Sequence, residues 1–74
     1  MKAITENQVK GSQKFIDSLL QAIDGAATKD ELKCVVSMLF NSYYHADSFI
    51  YGFGGSHMWV ANKANNERII FVEL

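Results

Sequence analysis

The stretch Thr28-Lys29-Asp30-Glu31-Leu32-Lys33-Cys34-Val35-Val36-Ser37-Met38-Leu39-Phe40-Asn41-Ser42-Tyr43 decides how the rest of the chain is read. Thr28 is placed as a helix N-cap whose hydroxyl accepts from the amide of Glu31, while the Glu31 carboxylate reaches back in a capping box. Beyond the cap, Leu32, Val35, Val36, Leu39, Phe40 and Tyr43 recur on one helical face, an apolar stripe about three turns long. A helix with one such stripe must bury it against another element.

Toward the N-terminus the same start grammar recurs in Ile4-Thr5-Glu6-Asn7-Gln8-Val9. Thr5 is the cap, Gln8 its box partner, and Ile4 packs on Val9 as a hydrophobic staple. Val9, Ile16, Leu20, Ile23 and Ala27 then fall at helical spacing, with Phe15 and Leu19 beside them and Lys10, Lys14, Asp17, Gln21 and Asp24 mostly elsewhere. The pattern predicts a first amphipathic helix that begins after Thr5, is weakened at Gly11 and stops at Asp24-Gly25, with Gly25 in the left-handed conformation. The link to Thr28 is so short that the two helices should form an antiparallel hairpin.

Toward the C-terminus, Asp47 and Ser48 mark a turn, and the periodicity changes. Phe49, Tyr51 and Phe53 alternate with Ile50, Gly52 and Gly54, which predicts a short strand or an extended loop. His57-Met58-Trp59-Val60-Ala61 and Arg68-Ile69-Ile70-Phe71-Val72 read as strands joined by the polar turn Asn62 to Glu67, a β-hairpin. The nearly unbroken apolar run of the second strand implies that both its faces are covered, by helices on one side and by a partner chain on the other. The expected fold is α+β: an antiparallel two-helix hairpin packed on a small antiparallel sheet of two to three strands, in the order α-α-β-β-β, forming a single domain over residues 1–74.

A chain of 74 residues is short, and folding at this size buries only about 60% of the surface of the unfolded chain. The single cysteine, Cys34, excludes an intrachain disulfide, and one cysteine with two histidines does not complete a closed zinc site. Self-association is the remaining support, so a homodimer is expected. Met1-Lys2-Ala3-Ile4-Thr5-Glu6 lacks the apolar core of a signal peptide and no apolar run approaches a membrane span, which predicts a cytoplasmic protein with no membrane partner. A net charge of −1 provides no field that would steer nucleic acid or anionic lipid to the chain.

The constellations that resemble chemistry each have a plainer reading. Cys34 and His45 lie on one helical face but about 16 Å apart, too far for proton transfer, so Cys34 reads as a small, partly buried thiol. His45, Asp47 and His57 lack the paired helical spacing of a metal motif. Gly52-Phe53-Gly54-Gly55 is followed by a strand, where a phosphate loop would need a helix N-terminus. Lys10 with Lys14, and Lys29 with Lys33, read as solvated helix faces interspersed with acids. No catalytic residue, metal site or cofactor is expected, and the chain is read as a binding protein, not an enzyme.

What exceeds structural need is the aromatic content of Tyr43 to Trp59. So short a chain can hardly hide all its aromatic side chains, and Tyr and Trp are the residues most enriched at interface hot spots. Tyr44, Phe49, Tyr51, Phe53 and Trp59 are therefore the candidate protein-binding residues. The expected function is that of a small intracellular interaction module that binds and inhibits or occludes another protein, as accessory proteins of phages and mobile elements do to host machinery. The alternative is a nucleic-acid-binding accessory or regulatory protein that uses its lysine pairs as a dimer.

Overall fold

The computed structural model describes residues 1–74. Its elements are strand β1 (Ala3–Thr5), helix α1 (Gln13–Gly25), helix α2 (Lys29–Ser42), a 3-10 turn (Tyr44–Ser48) and strands β2 (Phe49–Phe53), β3 (His57–Asn62) and β4 (Arg68–Glu73). The strands form one antiparallel sheet in the order β1-β4-β3-β2, with both helices on the same side of it. The α+β class holds. The sheet, however, has four strands where two to three are expected.

The fourth strand comes from the segment whose local signals predict a helix start. Ala3, Ile4 and Thr5 pair with Val72, Phe71 and Ile70, so the capping box at Thr5 does not form. The amides of Glu6 and Asn7 both turn to the carbonyl of Ile69, and the Asn7 amide side chain donates to Arg68. Backbone pairing outweighs a local cap here because β4 is apolar and needs a neighbour on each edge. The helix begins only after Gly11, whose φ of +82° is open to glycine and strained for other residues. At its other end Gly25 is the last helical residue and does not take the left-handed conformation; the amino group of Met1 donates to the carbonyls of Ile23 and Ala26 instead.

Helix α2 follows the sequence closely. The Thr28 hydroxyl accepts from the Glu31 amide at 3.1 Å, and the Glu31 carboxylate accepts from the amide of Ala27, one residue before the cap. Leu32 and Val36 are fully buried against Phe15, Leu19 and Ile23 of α1, while Val35, Leu39 and Phe40 are half-buried at the margin. Cys34 lies on the solvent side and is exposed, not partly buried. The turn from Asn62 to Glu67 explains its asparagines: the side chains of Asn62 and Asn65 accept from the amides of Ala64 and Glu67, and Asn66 sits at a φ of +58°.

The unbroken apolar run of β4 has a cause other than two covered faces. The pairing steps from Val60 with Ile70 to Ala61 with Arg68, leaving Ile69 without a cross-strand partner. This bulge lets Ile69 and Ile70, neighbours in sequence, both enter the core beneath the helices. Of the apolar residues in this run, Phe71 alone then points to the other face.

Because Leu32 is fully buried and Leu39 only half-buried, truncation should separate them. Leu32→Ala is expected to cost about 2–5 kcal/mol, and Leu39→Ala distinctly less. Equal losses in urea unfolding would mean that the core is centred elsewhere on α2.

Candidate protein-interaction site

The aromatic side chains divide between the two faces of the sheet according to strand parity. On the helix side Phe15 contacts Phe40, Tyr43 and Phe49 with ring centres 5.1 to 5.5 Å apart. Phe40 meets Tyr51 at 4.4 Å, and Tyr51 meets Phe53 edge-on at 6.2 Å. The Tyr43 and Ser18 hydroxyls share a hydrogen bond of 2.8 Å, which satisfies the polar tip of a partly buried ring. Lys33 sits over Phe53, and Lys29 donates to the carbonyl of Gly54.

No helix covers the opposite face. Cross-strand register there aligns a row through all four strands, from Gly52 on β2 through Trp59 and Phe71 to Ile4 on β1. Ile50, Ala61 and Arg68 make the row on one side; Gly54, His57 and Glu73 make the row on the other. Trp59 lies flat across Gly52, so closely that a Cβ there would stand 2.6 Å from its ring, and His57 closes over Gly54 in the same way. His57 also stacks on Phe71 at 5.6 Å, and the Arg68 guanidinium lies 4.6 Å from the Phe71 ring centre. A hollow of about 360 Å³ lined by Ile50, His57, Trp59, Ala61, Asn66 and Arg68 opens on this face. Ile4 is 55% exposed at its far edge.

The charge on the face is largely internal. Arg68 pairs with Glu6 through two nitrogens, one of them at 2.8 Å from Oε2. The hydrogen bond from Arg68 holds the Glu6 carboxyl below its ordinary range. A depressed carboxylate contributes its stabilisation above its unfolded pKa and loses it as pH falls through the folded value. This pair stands in solvent, where such bridges contribute little.

The five candidate residues thus do not form one patch. Phe49 is 4% exposed and belongs to the core. Tyr51 and Phe53 lie on the helix side at the margin of β2, Trp59 lies on the uncovered face, and Tyr44 stands alone on the 3-10 turn at 87% exposure. The uncovered face also uses Ile4, Ile50, His57, Arg68 and Phe71, which residue type alone does not reveal. Their signal is parity: His57 and Trp59 alternate with the buried Met58 and Val60. His45 and Asp47 stay on the 3-10 turn while His57 stacks on Phe71, and no group of His, Cys, Asp and Glu side chains is arranged to hold a metal ion. No helix is long and apolar enough to cross a membrane.

The Gly52 contact makes a direct prediction. Gly52→Ala should displace the indole, shift the emission of the sole tryptophan and cost about 1–3 kcal/mol. Gly55→Ala, where a Cβ meets nothing within 4 Å, is the control. Unchanged emission in the Gly52 variant would mean that Trp59 does not lie on the sheet. A scan against protein-family models, a search of curated proteins and a search of solved structures each found no match to this chain.

Proposed function

We propose that the protein is a small interaction module that binds and occludes another protein through the uncovered sheet face, as accessory proteins of phages and mobile elements do to host machinery. The observation that carries this reading is the row Gly52, Trp59, Phe71 and Ile4, an apolar band across four strands with no helix over it. Contiguous apolar surface of this kind marks an interaction site, and a tryptophan at its centre is the residue type most often found as a hot spot.

Charge selects the class of partner. The only arginine is committed to Glu6, and Lys2, at the β1 edge of the face, stands next to Glu73, so the face gathers no cluster of cations for a phosphate backbone. The lysine pairs do not gather into a groove either. Lys10 and Lys14 are near the start of α1, which at 13 residues runs about 20 Å to the link that begins α2. Lys29 and Lys33 are at that other end, one held by Gly54 and the other over Phe53. An apolar protein surface complements the open face better than nucleic acid does.

The test is to identify the partner by affinity capture and mass spectrometry, and then to measure affinities with purified proteins. Trp59→Ala should weaken binding by at least about thirtyfold, or 2 kcal/mol, with the fold retained by circular dichroism. The double change Lys10→Glu with Lys14→Glu should alter affinity by no more than a few-fold, and binding should persist at high salt. A ligand that proves to be nucleic acid, lost with the lysine changes and weakening steeply as salt rises, would overturn the reading in favour of a nucleic-acid-binding protein.

A further inference from the structure

The two edges of the sheet are treated differently by the sequence. On the β1 side the edge strand has three residues, is bounded by Lys2 and Glu6, and turns away after Thr5. Short, charged edges of this sort resist pairing with another chain. The β2 edge has none of these protections: Phe49-Ile50-Tyr51-Gly52-Phe53 carries no charge, no proline and no bulge.

Its hydrogen-bonding parity can be read from its ends. Gly54 donates to the carbonyl of His57, and Lys63 donates to the carbonyl of Ser48, so the even-numbered residues of this segment face β3. The N–H and C=O groups of Tyr51 and Phe53 and the C=O of Phe49 therefore point away from the sheet with no strand beside them, while the Phe49 N–H donates to the carbonyl of Ala46 in the 3-10 turn. These are alternating donors and acceptors on a flat apolar strand, a template for an added strand.

We propose that a second copy of this chain occupies that edge, β2 pairing antiparallel with β2 about a two-fold axis at Tyr51, to give one continuous eight-stranded sheet. The sequence is self-complementary in this register. Tyr51 faces its own counterpart and exchanges two N–H···O bonds with it, and Phe53 faces Phe49 of the second copy, its N–H donating to the Phe49 carbonyl because the Phe49 N–H is held by Ala46. On the outer face Ile50 falls opposite the second copy's Gly52, the position where a side chain is missing and the Trp59 indole lies. Moving the axis to a neighbouring residue, a register slip of two, brings Ile50 onto Ile50, or Gly52 onto Gly52, and strands part of the backbone row. On the helix side Tyr51, 36% exposed and resting on Phe40, becomes the centre of the seam. The inference extends the interaction-module reading by assigning self-association to the edge, and it joins the uncovered faces of both copies into one surface.

Light scattering after size exclusion tests it on the full chain at micromolar concentration. The unmodified protein should run at about twice 8.3 kDa. Tyr51→Lys, whose charge at the axis meets its own counterpart, should run as a folded monomer by circular dichroism. Independently, in a Cys34→Ser background, Tyr51→Cys should oxidise to a disulfide-linked dimer, and Ile50→Cys should not, because only the first meets itself at the axis. This pair decides the matter if the lysine variant fails to fold. A monomer across a hundredfold range of dilution, a dimer that Tyr51→Lys leaves intact, or cross-linking through Ile50→Cys in preference to Tyr51→Cys would each overturn the proposal. Affinity of the folded Tyr51→Lys monomer for a captured partner keeps the two readings apart: loss of dimer with partner binding retained leaves the outer face as the partner's site, and a Trp59→Ala variant that dimerises but does not bind separates them in the other direction.

Discussion

Ile69 has no partner on β3, and the rest of the sheet depends on that omission. In a regular strand the side chains of neighbouring residues point to opposite faces, so a strand reading Ile-Ile-Phe-Val places only alternate residues in the core. The bulge at Ile69 sends two adjacent isoleucines beneath the helices and restores the parity that keeps Val72 inside and Phe71 outside. The carbonyl of the same residue receives the amides of Glu6 and Asn7, which turns the chain off β1 toward Gly11 and the start of α1. Core, second edge and helix entry thus meet at one irregularity of the backbone.

What could be read from the sequence follows the range of the interactions involved. Helix α2 is legible because its cap, its box and its stripe lie within a few residues of one another, and the hairpin of β3 and β4 because its asparagine turn is equally local. Strand β1 is not legible. Thr5 and Gln8 carry a sound helix-start signal, and it loses to pairing with residues more than sixty positions away. Residues in β4 likewise have the apolar run of a strand covered on both faces, yet one unpaired residue gives the same run with one face open.

The aromatic segment shows the same division within a single stretch. Excess aromatic content there is evident from composition, but the sorting of those side chains depends on register. Tyr51 and Trp59, eight positions apart, lie on opposite faces because Tyr51 pairs with Val60, and Trp59 with Gly52. Phe49, similar in type to Phe53, is drawn under the helices by Phe15, whereas Phe53 remains at the margin with a lysine over it. Residue type predicts that large apolar area will remain accessible; strand parity determines where.

An open face on so small a protein also has a physical ceiling. Helices of 13 and 14 residues are about 20 Å long, enough to roof one side of a four-stranded sheet and no more. The other side must then tolerate water. Here it does so by laying its rings down: Trp59 rests on Gly52, His57 bridges Gly54 and Phe71, and Arg68 spreads its guanidinium over Phe71 while its charge is met by Glu6. Each of these contacts removes part of an aromatic face from solvent without adding chain length, since a glycine across the strand leaves room for the ring that covers it. The rings remain wide, flat and fixed in orientation, which lowers the entropic cost of receiving a partner. The features that make the face tolerable in water are therefore also those that preorganise it for binding.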